Sequence, residues 1–94
     1  MSELRTEKVG GDSYQYYPLG KYVVRAVGVC GGRPTFKYTR IEVARALERL
    51  SAGESMQDLV RGYRGRVSED AIREAIHLAA ASFAEVKGEL QPIS

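Results

Sequence analysis

Residues 30–42, Cys30-Gly31-Gly32-Arg33-Pro34-Thr35-Phe36-Lys37-Tyr38-Thr39-Arg40-Ile41-Glu42, hold the two features that decide the fold. At their start a glycine pair separates two extended runs. Glycine takes positive φ without steric penalty, so Cys30-Gly31-Gly32 predicts a tight reversal. At their end the apolar period changes from two to 3.6. Thr39 and Glu42 have capping-box spacing, in which the threonine accepts from the N–H three residues on and the glutamate reaches back. Upstream of the reversal, Tyr22 to about Val29 is a valine-rich strand; downstream, Arg33 to Tyr38 is a second extended piece that Pro34 places near an edge. Residues 22–38 are thus predicted as an irregular β-hairpin or arm. Tyr14, Tyr16 and Tyr17 form another β-prone run, broken at Pro18-Leu19-Gly20, and residues 1–11 lack a buried pattern and are expected as a flexible tail.

Beyond Thr39 three helices are predicted. Val43, Leu47 and Leu50 make one stripe, widened by Ala44 and Ala46, and Gly53 stands where a left-handed residue closes a helix. Ser55 opens a second helix with Asp58 as its third-position acid and Met56, Leu59, Val60 and Tyr63 as its buried face; it stops near Gly62–Gly65. Ser68 caps a third, with Glu69 and Asp70 in the first turn, where the helix dipole favours acids. Ile72, Ala75, Ile76, Ala79, Ala80 and Phe83 give that helix a long apolar seam, and Gly88 is expected to close it. The expected fold is therefore mainly α: a small N-terminal β-arm over 12–38, a three-helix, helix-turn-helix-like core over 39–88, and a short tail over 89–94.

The 94 residues suffice for one compact domain, and a domain this small favours self-association. No apolar run approaches the roughly 18 residues a membrane helix needs. The polar start is unlike a secretory signal, and one cysteine forms no internal disulfide, so a reducing cytoplasm is the expected home. Net charge is only +2, but residues 1–40 carry seven Lys/Arg against three acids, while residues 41–94 carry seven against nine. The basic character of the first half is compatible with nucleic acid.

The segment from Cys30 to Ile41, the helix end Leu50-Ser51-Ala52-Gly53-Glu54-Ser55, the stretch Leu59-Val60-Arg61-Gly62-Tyr63 and the helix Ser68 to Ala80 together resemble the prokaryotic "domain of unknown function 433" family. The resemblance covers about residues 22 to 82. It departs at Tyr38, where the family usually has Gly, and at Glu42, where Pro is common. Tyr38 in place of that glycine suggests a less strained backbone at the end of the arm. The resemblance implies a homeodomain-like helix-turn-helix fold behind a β-arm, and many members look like VapB-type antitoxins encoded beside a PIN-like ribonuclease toxin.

As a recognition helix the third is poorly equipped. Its exposed positions Glu69, Asp70, Arg73, Glu74 and His77 set three acids against two potential cations, and carboxylates repel phosphates. Better nucleic-acid candidates are Arg61, Arg64 and Arg66 around the preceding turn, with Arg33, Lys37 and Arg40 along the arm and Arg73 on the helix. Tyr14, Tyr16, Tyr17 and Tyr22, with Phe83, are candidates for a protein interface, because tyrosine is enriched there; base stacking is the other use of such rings. Cys30 has no base within reach by spacing, His77 lies far along the chain, and no phosphate loop, zinc spacing or nucleophile elbow is present. No enzyme, cofactor or metal is expected. The expectation is a cytoplasmic, homodimeric, double-stranded-DNA-binding regulator of antitoxin type with a ribonuclease toxin as possible partner. The alternative is a non-DNA interaction or assembly module on the same fold.

Overall fold

The computed structural model describes residues 3–86. The expected mainly-α fold with a small arm is corrected by a four-stranded antiparallel sheet in the order β1-β2-β3-β4, followed by three helices. The strands are β1 (Arg5–Val9), β2 (Asp12–Pro18), β3 (Val23–Ala26) and β4 (Thr35–Phe36). The supposed N-terminal tail thus contains a strand. Gly10 and Gly11, at φ 58° and 90°, form the two-residue turn that returns β1 onto β2, with Val9 opposite Asp12 and Arg5 opposite Tyr16. Both residues of such a turn need positive φ, which explains the glycine pair.

The predicted hairpin is present as the second half of this sheet. Val23 pairs with Phe36 and Val24 with Thr35, and β4 is an edge strand, as Pro34 suggested. Strand alternation divides the apolar residues between two faces. Val23 and Phe36 face the helices and join Val43, Ala46, Leu59, Val67, Ala71, Ile72 and Ala75 in the main core. Tyr16, Val24 and Ala26 form a second buried cluster, against which Tyr14 and Val29 pack.

The helices are α1 (Val43–Ser51), α2 (Met56–Gly62) and α3 (Glu69–Ala84). Ser55 Oγ accepts from the Asp58 N–H and Ser68 Oγ from the Ala71 N–H, so both serine caps form as read. Gly53 closes α1 at φ 103°. The Thr39 capping box does not form. Thr39 Oγ1 instead donates to the Phe36 carbonyl at 2.8 Å and accepts from the Ile41 N–H at 3.0 Å. The chain stays extended to Glu42, which bridges to Thr35, and the helix starts one residue later. Glu42, free of the box, takes the Arg33 guanidinium at 3.0 and 3.2 Å.

Only Ala71, Ile72 and Ala75 of α3 are buried, so the predicted seam reaches the core in its first half alone. Ile76 and Phe83 are 42% and 75% exposed, and His77 is exposed too. The expected stop at Gly88 lies outside the described residues.

Candidate nucleic-acid interface

Two Lys-Tyr dipeptides, Lys21-Tyr22 before β3 and Lys37-Tyr38 after β4, are drawn together where the sheet meets the helices. The Lys37 N–H donates to the Tyr22 carbonyl at 2.7 Å, extending the β3–β4 pairing by one bond. Arg66 and Ser68, on the turn between α2 and α3, form the facing wall. Between the walls lies an open groove of about 430 Å³ with Phe36 and Ala71 as apolar lining.

The acidic side chains of α3 are largely engaged elsewhere. Glu74 turns toward the sheet, where Oε1 accepts from the N–H groups of Tyr22 and Val23 at 2.7 and 3.0 Å and Oε2 from that of Lys21 at 2.9 Å. This approach requires glycine at position 20, because a Cβ there would stand 2.5 Å from Glu74 Oε1. Glu69 takes Arg73 at 2.6 Å. Asp70 remains exposed without an ion pair among the described residues. Of the three acids, Glu69 is thus matched by a cation, Glu74 keeps its charge but is turned onto backbone N–H groups, and Asp70 is left exposed.

The candidate cations separate into two groups. Arg33 is held by Glu42, Lys37 by Glu7 at 3.3 Å, Arg61 by Asp58 at 3.3 Å and Arg73 by Glu69. Arg40, Arg64 and Arg66 are exposed and have no ion pair among the described residues, and Lys21, missed in the sequence, is likewise unpaired. The signal for Lys21 was the repetition of the Lys-Tyr dipeptide. Arg64 has a left-handed backbone at φ 57°, followed by Gly65 at 74°, so two successive left-handed residues shape the turn and only the first, the strained one, bears a side chain.

Most of the tyrosines singled out as interface candidates are used inside the protomer. Tyr16 is 1% exposed, and Tyr14 and Tyr22 are half-buried; Tyr17, at 41%, and Phe83 remain accessible. Tyr14 and Tyr16 belong to a polar network around Glu7. That carboxylate accepts from the Tyr16 hydroxyl and, at 2.7 Å, from the Tyr38 hydroxyl. Those bonds, Tyr16 first and Tyr38 next, with the Lys37 ammonium beside them, hold the Glu7 carboxyl down at about 2. For Lys37, burial favours the neutral amine, but contacts with Tyr16, Tyr38 and Glu7 outweigh it and leave the ammonium strongly favoured. The hydrogen bond to Glu7 raises the Tyr38 hydroxyl above its ordinary range.

Tyr38 itself sits at φ 68°. The expectation of a relaxed backbone there is therefore corrected: the tyrosine occupies a left-handed position, which costs a Cβ-bearing residue roughly 1–2 kcal/mol. Its N–H donates to the Tyr14 hydroxyl at 2.9 Å, and its ring is 5.3 Å from that of Tyr14. Cys30 has a local structural partner, its thiol donating to the Arg40 carbonyl at 3.4 Å. Among the described residues no three metal-binding side chains cluster, and no helix is long and apolar enough to cross a membrane.

Fold and surface together define a small antiparallel sheet packed against three helices, with a cationic, tyrosine-bearing groove at their junction. The chain belongs to the family described as protein of unknown function DUF433, whose model matches residues 23–79. The first two strands precede the matched region. No curated protein and no solved structure matches the chain.

Proposed function

We propose that this protein is a cytoplasmic DNA-binding regulator of antitoxin type, acting as a homodimer that represses its own operon and neutralises a PIN-like ribonuclease. The observation carrying the DNA half of this reading is the α2–α3 turn. Arg64 and Arg66 stand on it exposed and unpaired, while Glu74 and Glu69 beside it are engaged by the sheet and by Arg73. Free guanidinium groups gain affinity from phosphates by releasing condensed counterions, whereas paired ones must first break a bond. In this reading α2 and α3 form a helix-turn-helix pair, and Arg40 adds a further phosphate contact. The protein-binding half rests on the second half of α3. From Ile76 to Ala84 it carries no charged side chain, and Phe83 is 75% exposed. An apolar surface of this kind on a small protein marks an interaction site.

The test is Arg64→Glu with Arg66→Glu, assayed on a duplex from upstream of the gene. The double variant is expected to lose duplex binding while retaining fold and partner binding. Unchanged duplex affinity would remove the turn from the interface and favour an assembly module instead.

A further inference from the structure

The groove has a property that duplex binding does not use: beside Arg66, which both readings share, it sets Lys21, without an ion pair among the described residues, and the exposed ring of Tyr38, a residue with a left-handed backbone. We infer that it binds a nucleotide whose base is unpaired, with the base against Tyr38 and the phosphate between Lys21 and Arg66. This goes beyond the duplex reading and is independent of the contacts assigned to Arg40 and Arg64.

The ring is available and held in place. Tyr38 is 52% exposed; its hydroxyl is fixed on Glu7 and its N–H on the Tyr14 hydroxyl, the Tyr14 ring supports it at 5.3 Å, and the Lys37 ammonium stands 4.9 Å from its ring centre. A half-exposed ring on a left-handed residue, held by Glu7 and Tyr14, has its ordering cost already met before any ligand arrives. The opposite dipeptide supplies a second ring, Tyr22, with the Lys21 ammonium 5.2 Å from its centre. Lys37, although it lines the groove, is already matched by Glu7, so Lys21 and Arg66 are the charges left for an anion.

The chemistry that complements both features is a flat base joined to a phosphate. In a duplex each base face is covered by its neighbours, so a protein ring can stack only on an unpaired or terminal base. A volume of about 430 Å³ lies within the range of small-ligand sites. The same chemistry comes from two sources, a free mononucleotide or one nucleotide of a single strand.

The full chain is titrated with adenosine monophosphate, with inorganic phosphate, and with a labelled ten-residue oligothymidylate, using calorimetry for the small ligands and anisotropy for the strand. Two variants accompany the wild type: Tyr38→Gly, which removes the ring and accepts the left-handed backbone, and Lys21→Ala. Saturable binding of the strand is expected, weakened about tenfold by loss of the ring in Tyr38→Gly. Lys21→Ala is expected to weaken binding and flatten its salt dependence, with circular dichroism unchanged in both variants. Binding of the mononucleotide well above phosphate identifies a free nucleotide as sufficient; binding of the strand alone identifies a single-stranded ligand. Equal affinity of Tyr38→Gly and wild type for every ligand bound, equal binding of phosphate and mononucleotide without strand binding, or no binding at all, would overturn the inference. Duplex binding lost in the Arg64→Glu, Arg66→Glu variant but retained in Tyr38→Gly would separate this site from the regulator reading.

Discussion

Tyr22 and Glu74 lie 52 residues apart and are joined by a 2.7 Å hydrogen bond from the Tyr22 N–H to the Glu74 carboxylate. With Val23 and Lys21 bonded to the same carboxylate, one side chain of α3 satisfies the backbone where the chain enters β3. This contact positions the groove, because it fixes Lys21 and Tyr22 against the helix that follows Arg66. Glu74→Ala is expected to destabilise the fold by about 2–3 kcal/mol, as charge-assisted bonds to part-buried amides are lost together. That corresponds to a fall in Tm of roughly 10 °C or more for a domain of this size. Glu74→Gln, which keeps an acceptor for Tyr22 and Val23 but opposes its NH₂ to the Lys21 N–H, should fall between the two in thermal denaturation.

Glu7 gives the fold an acid-sensitive joint. Its carboxyl is held at about 2 against an ordinary 4.5, chiefly by the Tyr16 hydroxyl and then the Tyr38 hydroxyl. A carboxyl whose folded value is lowered contributes stability that is present above pH 4.5 and disappears as pH falls toward 2. Urea midpoints measured across this window should decline with acidification in the wild type and decline less steeply in Glu7→Gln. Glu42 and Glu54, held low by Arg33 and Arg49, contribute the slope that remains.

At Tyr38 strain and contacts oppose each other. Tyr38→Ala loses the ring and keeps a Cβ at φ 68°, whereas Tyr38→Gly loses the ring and releases the strain. The glycine variant is expected to be more stable than the alanine variant by about 1 kcal/mol in chemical denaturation. Equal stabilities would mean that the left-handed position carries no penalty.

Thr35 is fully buried in β4, and among the described residues its hydroxyl has no hydrogen-bond partner. An unsatisfied buried hydroxyl is unfavourable, and valine has nearly the same shape. Thr35→Val should therefore stabilise the protein by about 1 kcal/mol, seen as a higher urea midpoint with unchanged slope.

The parts of this fold legible in the sequence are those encoded by local chemistry. Ser55, Ser68 and Gly53 bound their helices because a cap or a left-handed stop needs only neighbouring residues. β1 was missed because it is exposed almost throughout and shows no apolar alternation; its one signal was Gly10-Gly11 between two polar runs. Thr39 misled because its hydroxyl was already committed to Phe36 and Ile41, a competition that spacing does not reveal. The same holds at the site. The turn arginines were visible, and the Arg61–Asp58 and Arg73–Glu69 pairs are local i,i+3 and i,i+4 contacts that helical spacing encodes. The pairing of Lys37 with Glu7 and the removal of Glu74 to the sheet depend on contacts between distant segments.

The most direct test of the central claim is fluorescence anisotropy of the purified protein with a duplex from upstream of its own gene, beside a scrambled duplex, across a range of salt. With Arg40, Arg64 and Arg66 on phosphates, the affinity is expected to fall with a log–log salt slope of about −3 per protomer. The native duplex should bind at least about tenfold more tightly than the scrambled one at near-physiological salt. Equal binding of both duplexes that vanishes with salt, or no binding of either, would contradict the account and assign this surface to protein assembly.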